Sequence, residues 1–288
     1  NPMTGRTSPF RPNHAFSHER NPAMNSWRDI PNPWKELPLT EQSDFYLPNE
    51  KNDNYSQTIP QQPYQGTPDA KIWILLANPG FKDKDYITED MESDIDFFKQ
   101  HKDLVLKQLI FEQTKNGGYY NFVLNPGLEK YCGRKWFLDR FIGKGKLLSS
   151  EEEKQACLSY KSDVLNAIDL RFFLLQIHGY ASPTYKASEH FSHSDYNEQL
   201  LHWALANDKI IVIARCVAHW LKVIEKVNHN TQKIFVMLNN RNVSFSSNNL
   251  VRYPAWKYAQ EILSEAKKAT PRQLNEIWER IHTLNGEM

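Results

Sequence analysis

Apolar residues come in short unbroken runs over most of this chain, with amphipathic stretches between them. Four runs stand out, at 72–77, 171–177, 209–214 and 233–238. Each is rich in β-branched or aromatic residues and apolar on both faces, the pattern of central strands in a parallel sheet. The intervals carry helical spacing. Residues 94–113 place Ile95, Phe98, Val105 and Leu109 on one stripe. Ser149 followed by Glu152 forms a capping-box signature for a helix reaching 160. Further helices are predicted over 194–206, 217–227, 255–268 and 271–284, with Thr270 as N-cap of the last and Pro271 at its first position. This alternation predicts an α/β fold, a three-layer α/β/α sandwich around a central, mainly parallel four-stranded sheet.

Residues 1–66 break the pattern. They are rich in Pro, Asn, Ser and Gln, and their apolar residues follow no period. They read as a polar extension, partly disordered or packed on the domain where Trp27, Trp34, Phe45 and Tyr46 can dock, ahead of one catalytic-sized domain over 67–288. A hydrophobic content of 40% supports a substantial core. Thirty-five basic residues against 34 acidic ones give a net charge of +1, which argues against a strongly cationic binder but leaves room for a local basic groove. Cys132, Cys157 and Cys216 form no CxxC pair. No zinc site, iron–sulfur cluster or disulfide framework is expected, and a reduced cytoplasmic protein is the economical reading. No run approaches the ~18 apolar residues of a membrane span, and no apolar segment follows the start as in a signal peptide.

The strand ends hold the candidate chemistry. Asn78-Pro79-Gly80 follows the first run, where open α/β sheets build ligand sites. An Asn amide there can orient a water through its donor and acceptor, although the same tripeptide also suits a plain strand-ending turn. Gln176 and His178 follow the second run: the amide can read a base edge, and the imidazole can stabilise an anion or serve as a buried core histidine. After the fourth run, Asn240, Arg241, Asn242, Ser244 and Ser246 make a loop suited to a phosphate backbone, and Phe245 is either a wedge for a base stack or the loop's apolar anchor. The stretch 128–146 interleaves bases, including Arg134 and Lys135, with Tyr131, Trp136, Phe137 and Phe141. It suits single strands or a flipped base, and equally an amphipathic helix packed on the core. Gly143-Lys-Gly-Lys146 lacks the spacing of a phosphate loop, and His190 with His193 has no supporting ligands.

Together these loops resemble the uracil-DNA glycosylase superfamily. The run ending in Ala77-Asn78-Pro79-Gly80-Phe81 is similar to the first motif of its mismatch-specific and single-strand-selective branches. The Leu174-Leu175-Gln176 strand end resembles the strand bearing the pyrimidine-reading Asn, with Gln in its place, and the 240–249 loop stands where that superfamily clamps the abasic-site phosphate, without the His-Pro-Ser letters. A bacterial branch with an Asn-Pro-Gly-Phe or Asn-Pro-Gly-Tyr first motif and a segment like Gly133-Arg-Lys-Trp-Phe137 looks similar over the whole pattern. Asn125-Pro-Gly127 repeats the tripeptide, so Asn125 rivals Asn78 for the catalytic place.

The resemblance implies a monofunctional DNA glycosylase that flips out a uracil-like or modified pyrimidine and hydrolyses its N-glycosidic bond. Asn78 would position the water, and His178 or loop amides would stabilise the departing base anion. Gln176 would read the base, and Phe81, Tyr86 or Trp136 would stack on it. No metal or cofactor is implied. DNA is the implied partner, with neither a membrane nor an obligatory protein partner. Gln in the reading position extends the substrate range to larger pyrimidines, including hypermodified phage bases, and with them a role in phage defence. Two other classes fit the same residues: a non-catalytic nucleic-acid-binding protein of this fold, and a nucleoside or nucleotide N-glycoside hydrolase.

Overall fold

The computed structural model describes residues 25–35, 61–78, 103–113, 171–179, 194–227, 231–238 and 249–266, with single positions at 140, 155, 243, 245, 276, 279 and 283. Its centre is a mixed sheet of six strands: β1 (Tyr64–Gln65), β2 (Ile72–Leu76), β3 (Phe172–Gln176), β4 (Ile210–Ile213), β5 (Ile234–Met237) and β6 (Leu250–Arg252). Their order is β1-β3-β2-β4-β5-β6. The inner four are the four apolar runs of the sequence and pair in parallel. The two edge strands pair antiparallel, β1 on β3 and β6 on β5.

The expected four-stranded sheet is thus corrected to six. The added strands span two and three residues, too few for an alternating pattern to show. Such short edge strands also leave little unpaired backbone for another chain to add to. β1 needs two glycines beside it. Gly66 sits at φ +87°, and a Cβ there would lie 2.6 Å from the Phe172 carbonyl oxygen; a Cβ on Gly179 would lie 2.7 Å from Pro63 N. Only a bare backbone permits this approach.

Burial follows the parallel-sheet pattern. Every β3 residue is buried, as are Trp73 to Leu76 of β2. Register places Tyr64, Trp73 and Phe173 on one face, because Tyr64 faces Leu175 and Trp73 faces Phe173. These rings meet others from outside the sheet. Trp73 lies 4.4 Å from Phe173, Tyr64 stacks on Phe111 at 4.7 Å, and Trp34 meets Tyr64 edge-on at 5.6 Å. On the opposite face Ile74, Leu174 and Val212 are buried as well, so both faces are covered. From the polar N-terminal segment, Trp27, Ile30 and Trp34 enter this same core.

Helix α1 (Ser194–Ala206) lays Trp203 against Trp73 at 6.3 Å. It stops at Asp208, whose φ of 59° turns the chain while Lys209 N–H donates to Ala204 O and Asp208 N–H to Leu205 O. Aspartate tolerates this left-handed position better than most side chains, and the two bonds satisfy carbonyls of the last turn. Helix α2 (Val217–Ile224) packs on α1, and α3 (Tyr253–Ala266) packs on β5 and β6. Residues 103–109 are helical, within the longer helix expected at 94–113. The predicted helices at 149–160 and 271–284 lie outside the described residues apart from single helical positions.

At the N-terminal ends of the strands, Asp69 gathers the fold together. It accepts from Trp27 Nε1 and from Arg28, each at 2.8 Å, while Lys209 Nζ donates to its backbone carbonyl at 2.9 Å. Arg28 also lies over the Trp27 ring at 4.3 Å. Among the described residues, no helix is long and apolar enough to cross a membrane.

Candidate functional site

The carboxyl ends of β2 and β3 bring three of the expected residues together. Leu76 and Gln176 are register partners. Beyond them, the amides of Ile177 and His178 both donate to Ala77 O, at 2.9 and 3.4 Å. Asn78 and the Gln176–His178 segment therefore emerge side by side from adjacent parallel strands. On the other flank of β2, the amides of Ala214 and Arg215 donate to Leu75 O at 3.0 and 3.2 Å, and Cys216 turns the chain into α2 at φ 50°, ψ 47°. The chain leaves β2 for β3 on one side, whereas β4 continues to β5 on the other. The crevice between the ends of β2 and β4 is the point where the strand order reverses, the usual ligand position in open parallel sheets. Asn78 follows one of these two strands and Arg215–Cys216 the other.

The three expected residues differ in access. Asn78 is half-buried, Gln176 is 8% exposed and His178 is fully enclosed. Gln176 Oε1 is buried and meets no hydrogen-bond donor among the described residues. A buried amide oxygen in that state costs about 1–3 kcal/mol unless a ligand or partner supplies an N–H. Burial pushes the Cys216 thiol above its ordinary value, with Arg215 opposing, so the thiol stays protonated near neutral pH and is a poor nucleophile.

Two further side chains fasten these strand ends. Trp220 of α2 donates its indole N–H to Leu76 O at 2.9 Å. Asn197 of α1 donates its amide to Gln176 O at 2.9 Å. His202 Nε2 of α1 against Val223 O of α2, at 3.3 Å, joins the two helices, and Glu198 of α1 pairs at 2.8 Å with Lys226 in the turn after α2. Burial holds the His202 and His219 imidazoles below their ordinary values; the Val223 carbonyl offsets part of this at His202 and the Glu198 carboxylate part of it at His219.

Across the edge, Leu238 N–H donates to Asn249 O at 2.9 Å and closes the base of the β5–β6 connection. Val243 is buried, and Phe245 is partly buried and packed against the core. Leu238, at 37% exposure, is the large apolar side chain that stays open to solvent among the described residues. Asn125, Phe81, Tyr86, Trp136, Arg134, Lys135, Asn240, Arg241, Asn242, Ser244 and Ser246 lie outside the described residues. A small hollow between Trp27, Arg28, Asn32, Lys35 and Tyr196 is lined by none of the strand-end residues. Among the described residues, no three His, Cys, Asp or Glu side chains group as a metal site.

Sequence reasoning missed Arg215, Cys216, Asn197, Trp220 and Leu238. For Arg215 and Cys216 the signal was present, since they follow a predicted strand as directly as Asn78 does. Asn197 and Trp220 offered no such signal, because each sits within the apolar pattern of a helix. No protein-family model, curated protein or solved structure matches the chain.

Proposed function

We propose that this protein is a monofunctional DNA glycosylase that extrudes a uracil-like or modified pyrimidine from DNA and hydrolyses its N-glycosidic bond, leaving an abasic site. The observation that carries the reading is the pairing of Leu76 with Gln176, which sets a half-exposed Asn78 beside a strand end bearing Gln176 and His178. In this reading the Asn78 amide orients a water toward C1′ as the sugar becomes cationic. The C1′–N bond breaks, its electron pair leaves with the base, and the water oxygen takes its place on the sugar while its proton is released. In the same reading the departing base anion is stabilised by loop amides or by His178, whose imidazole is enclosed here and would have to be uncovered as the base enters. Gln176 reads the hydrogen-bonding edge of the base. Leu238 is the apolar side chain available to fill the gap left by the flipped nucleotide. The α/β sheet is read as the centre of a three-layer glycosylase-like domain, with the 240–246 loop on the DNA backbone.

Oligonucleotides carrying uracil, mismatched thymine, hydroxymethylcytosine or glucosylated hydroxymethylcytosine, incubated with the protein and treated with alkali, test this directly. Strand breakage at the marked base is the expected result. Intact strands together with retained DNA binding would replace the glycosylase by a non-catalytic binder. Release of base from free nucleosides, unaffected by added duplex, would replace it by a nucleoside hydrolase.

A further inference from the structure

We infer that Asn197 and Trp220 are positioning residues: two side chains from consecutive helices that cap the register-paired strand-end carbonyls, Gln176 O and Leu76 O, and so hold Asn78 and His178 in mutual register. Each bond is 2.9 Å long and buried. The capped residues are partners across the β2–β3 ladder, and each lies two positions before the residue it would orient, Leu76 before Asn78 and Gln176 before His178. A strand end is where ladder bonding stops and its backbone groups need donors from elsewhere. Here both donors come from side chains, and the helices that bear them are tied to each other through His202–Val223 and, in the turn after the second, Glu198–Lys226. The two caps therefore form one clamp.

Asn197 shows why the clamp is more than packing. It is 1% exposed, and its Oδ1 is buried without a hydrogen-bond partner among the described residues. Half of its amide is thus an uncompensated burden in the core, where leucine of similar size would pack without one. The single return is the bond to Gln176 O. Trp220 is likewise 1% exposed; phenylalanine there keeps an aromatic ring but removes the N–H together with part of the buried bicycle.

The full-length chain with Trp220→Phe, with Asn197→Leu and with both changes tests the clamp by two readouts. In hydrogen–deuterium exchange, protection of the Ile177 and His178 amides should fall about five- to tenfold while the β4–β5 amides keep theirs. On an oligonucleotide substrate that the wild type cleaves, kcat should fall about 10- to 100-fold with KM within about twofold, since misplaced groups cost rate rather than binding. The kinetic arm rests on the glycosylase reading and the exchange arm does not. A wild type that releases no base from any oligonucleotide sinks that reading and leaves exchange to decide the clamp. Unchanged protection at residues 177–178, or a loss spread evenly over the sheet, overturns the clamp. The Trp220→Phe variant keeps an aromatic ring in the core, and comparing its exchange at residues 177–178 with that of the β4–β5 amides separates the lost bond from the lost packing, so it remains informative if Asn197→Leu does not fold.

Discussion

Gly179→Ala should lower stability by about 3–5 kcal/mol through a contact that leaves no room to give. The new methyl would lie 2.7 Å from both N and Cδ of Pro63 and 3.0 Å from Gln62 N. The nearest neighbours are backbone or the rigid proline ring, so the strain cannot pass into a rotamer. Relief requires the 61–65 segment to lift away from β3. That movement stretches the bond from Gln62 N–H to Gly179 O, 2.7 Å, and the bond from Gln176 N–H to Pro63 O, 2.8 Å. Each lost buried backbone bond is worth about 1 kcal/mol net, and overpacking adds about 1–3 kcal/mol. Urea unfolding followed by fluorescence gives the difference in midpoint at constant slope. If the glycosylase proposal holds, base release should slow as well, even where the variant remains folded, because Gly179 directly follows His178. A variant within about 0.5 kcal/mol of wild type would refute the reasoning, because it would mean that the segment sits loosely against the strand end.

At the other end of the strands, Asp69→Ala strips the acceptor from the buried Trp27 indole and the partner from Arg28. A loss of about 1–3 kcal/mol is expected, mostly from the indole, since the exposed Arg28 pair is worth about 0–1. Asp69→Asn should recover most of it, and equal losses in the two variants would contradict that division. Stability should also fall as pH drops below about 6.5, because burial holds His202 and His219 below that value in the fold and the unfolded chain then binds more protons. His202→Gln should flatten the slope in urea midpoints measured from pH 7.5 to 5, and an unchanged slope would remove His202 from the account. Asn78→Ala should cut abasic-site formation about 100-fold or more while leaving DNA affinity within about twofold, as read by alkaline cleavage and gel shift. Gln176→Leu should leave the urea midpoint unchanged or raise it while abolishing discrimination between pyrimidines, and a large destabilisation would show the amide to be structural.

The inner sheet was legible because its strands are buried on both faces, so an apolar run coincides with a strand to within a residue or two at each end. Helix α1 was legible to the residue, from apolar spacing closed by Asn207–Asp208. The edge strands were not, since β1 owes its existence to Gly66 and Gly179 rather than to its own two residues. Helix α3 begins at Tyr253, two residues before the expected start, and the overlooked signal was Pro254 in its first turn. The rule that polar residues at strand ends matter named Asn78, Gln176 and His178, which the structure brings to one edge, and, applied to the third strand, would have named Arg215. What no period carries is a polar atom whose role is set by another element. Asn197 reads as one more helical residue until its amide is seen at the end of β3.

Gln176 is where stability and function part company. Its amide oxygen is buried and finds no donor among the described residues, at a position where leucine would satisfy the sheet. Buried polar atoms of this kind call for a water, an ion or a ligand to complete their bonding, and Asn197 Oδ1 shares the condition. The backbone of Gln176 is, by contrast, bonded on both sides, by its N–H to Pro63 O and at its carbonyl by Asn197. On the glycosylase reading proposed above, this fixed main chain is the platform and the side-chain acceptor the reading group, which the strand end must uncover for a donor on the base to reach. If the glycosylase proposal holds, the longer reach of Gln over Asn bears on which pyrimidine is accepted, because one added methylene moves the amide toward the base and demands a differently shaped edge. Comparing Gln176→Asn with the wild type on uracil and on hydroxymethylcytosine therefore separates reach from chemistry. A shift in preference toward uracil assigns specificity to side-chain length, and a uniform loss on both bases assigns it to the surrounding loops.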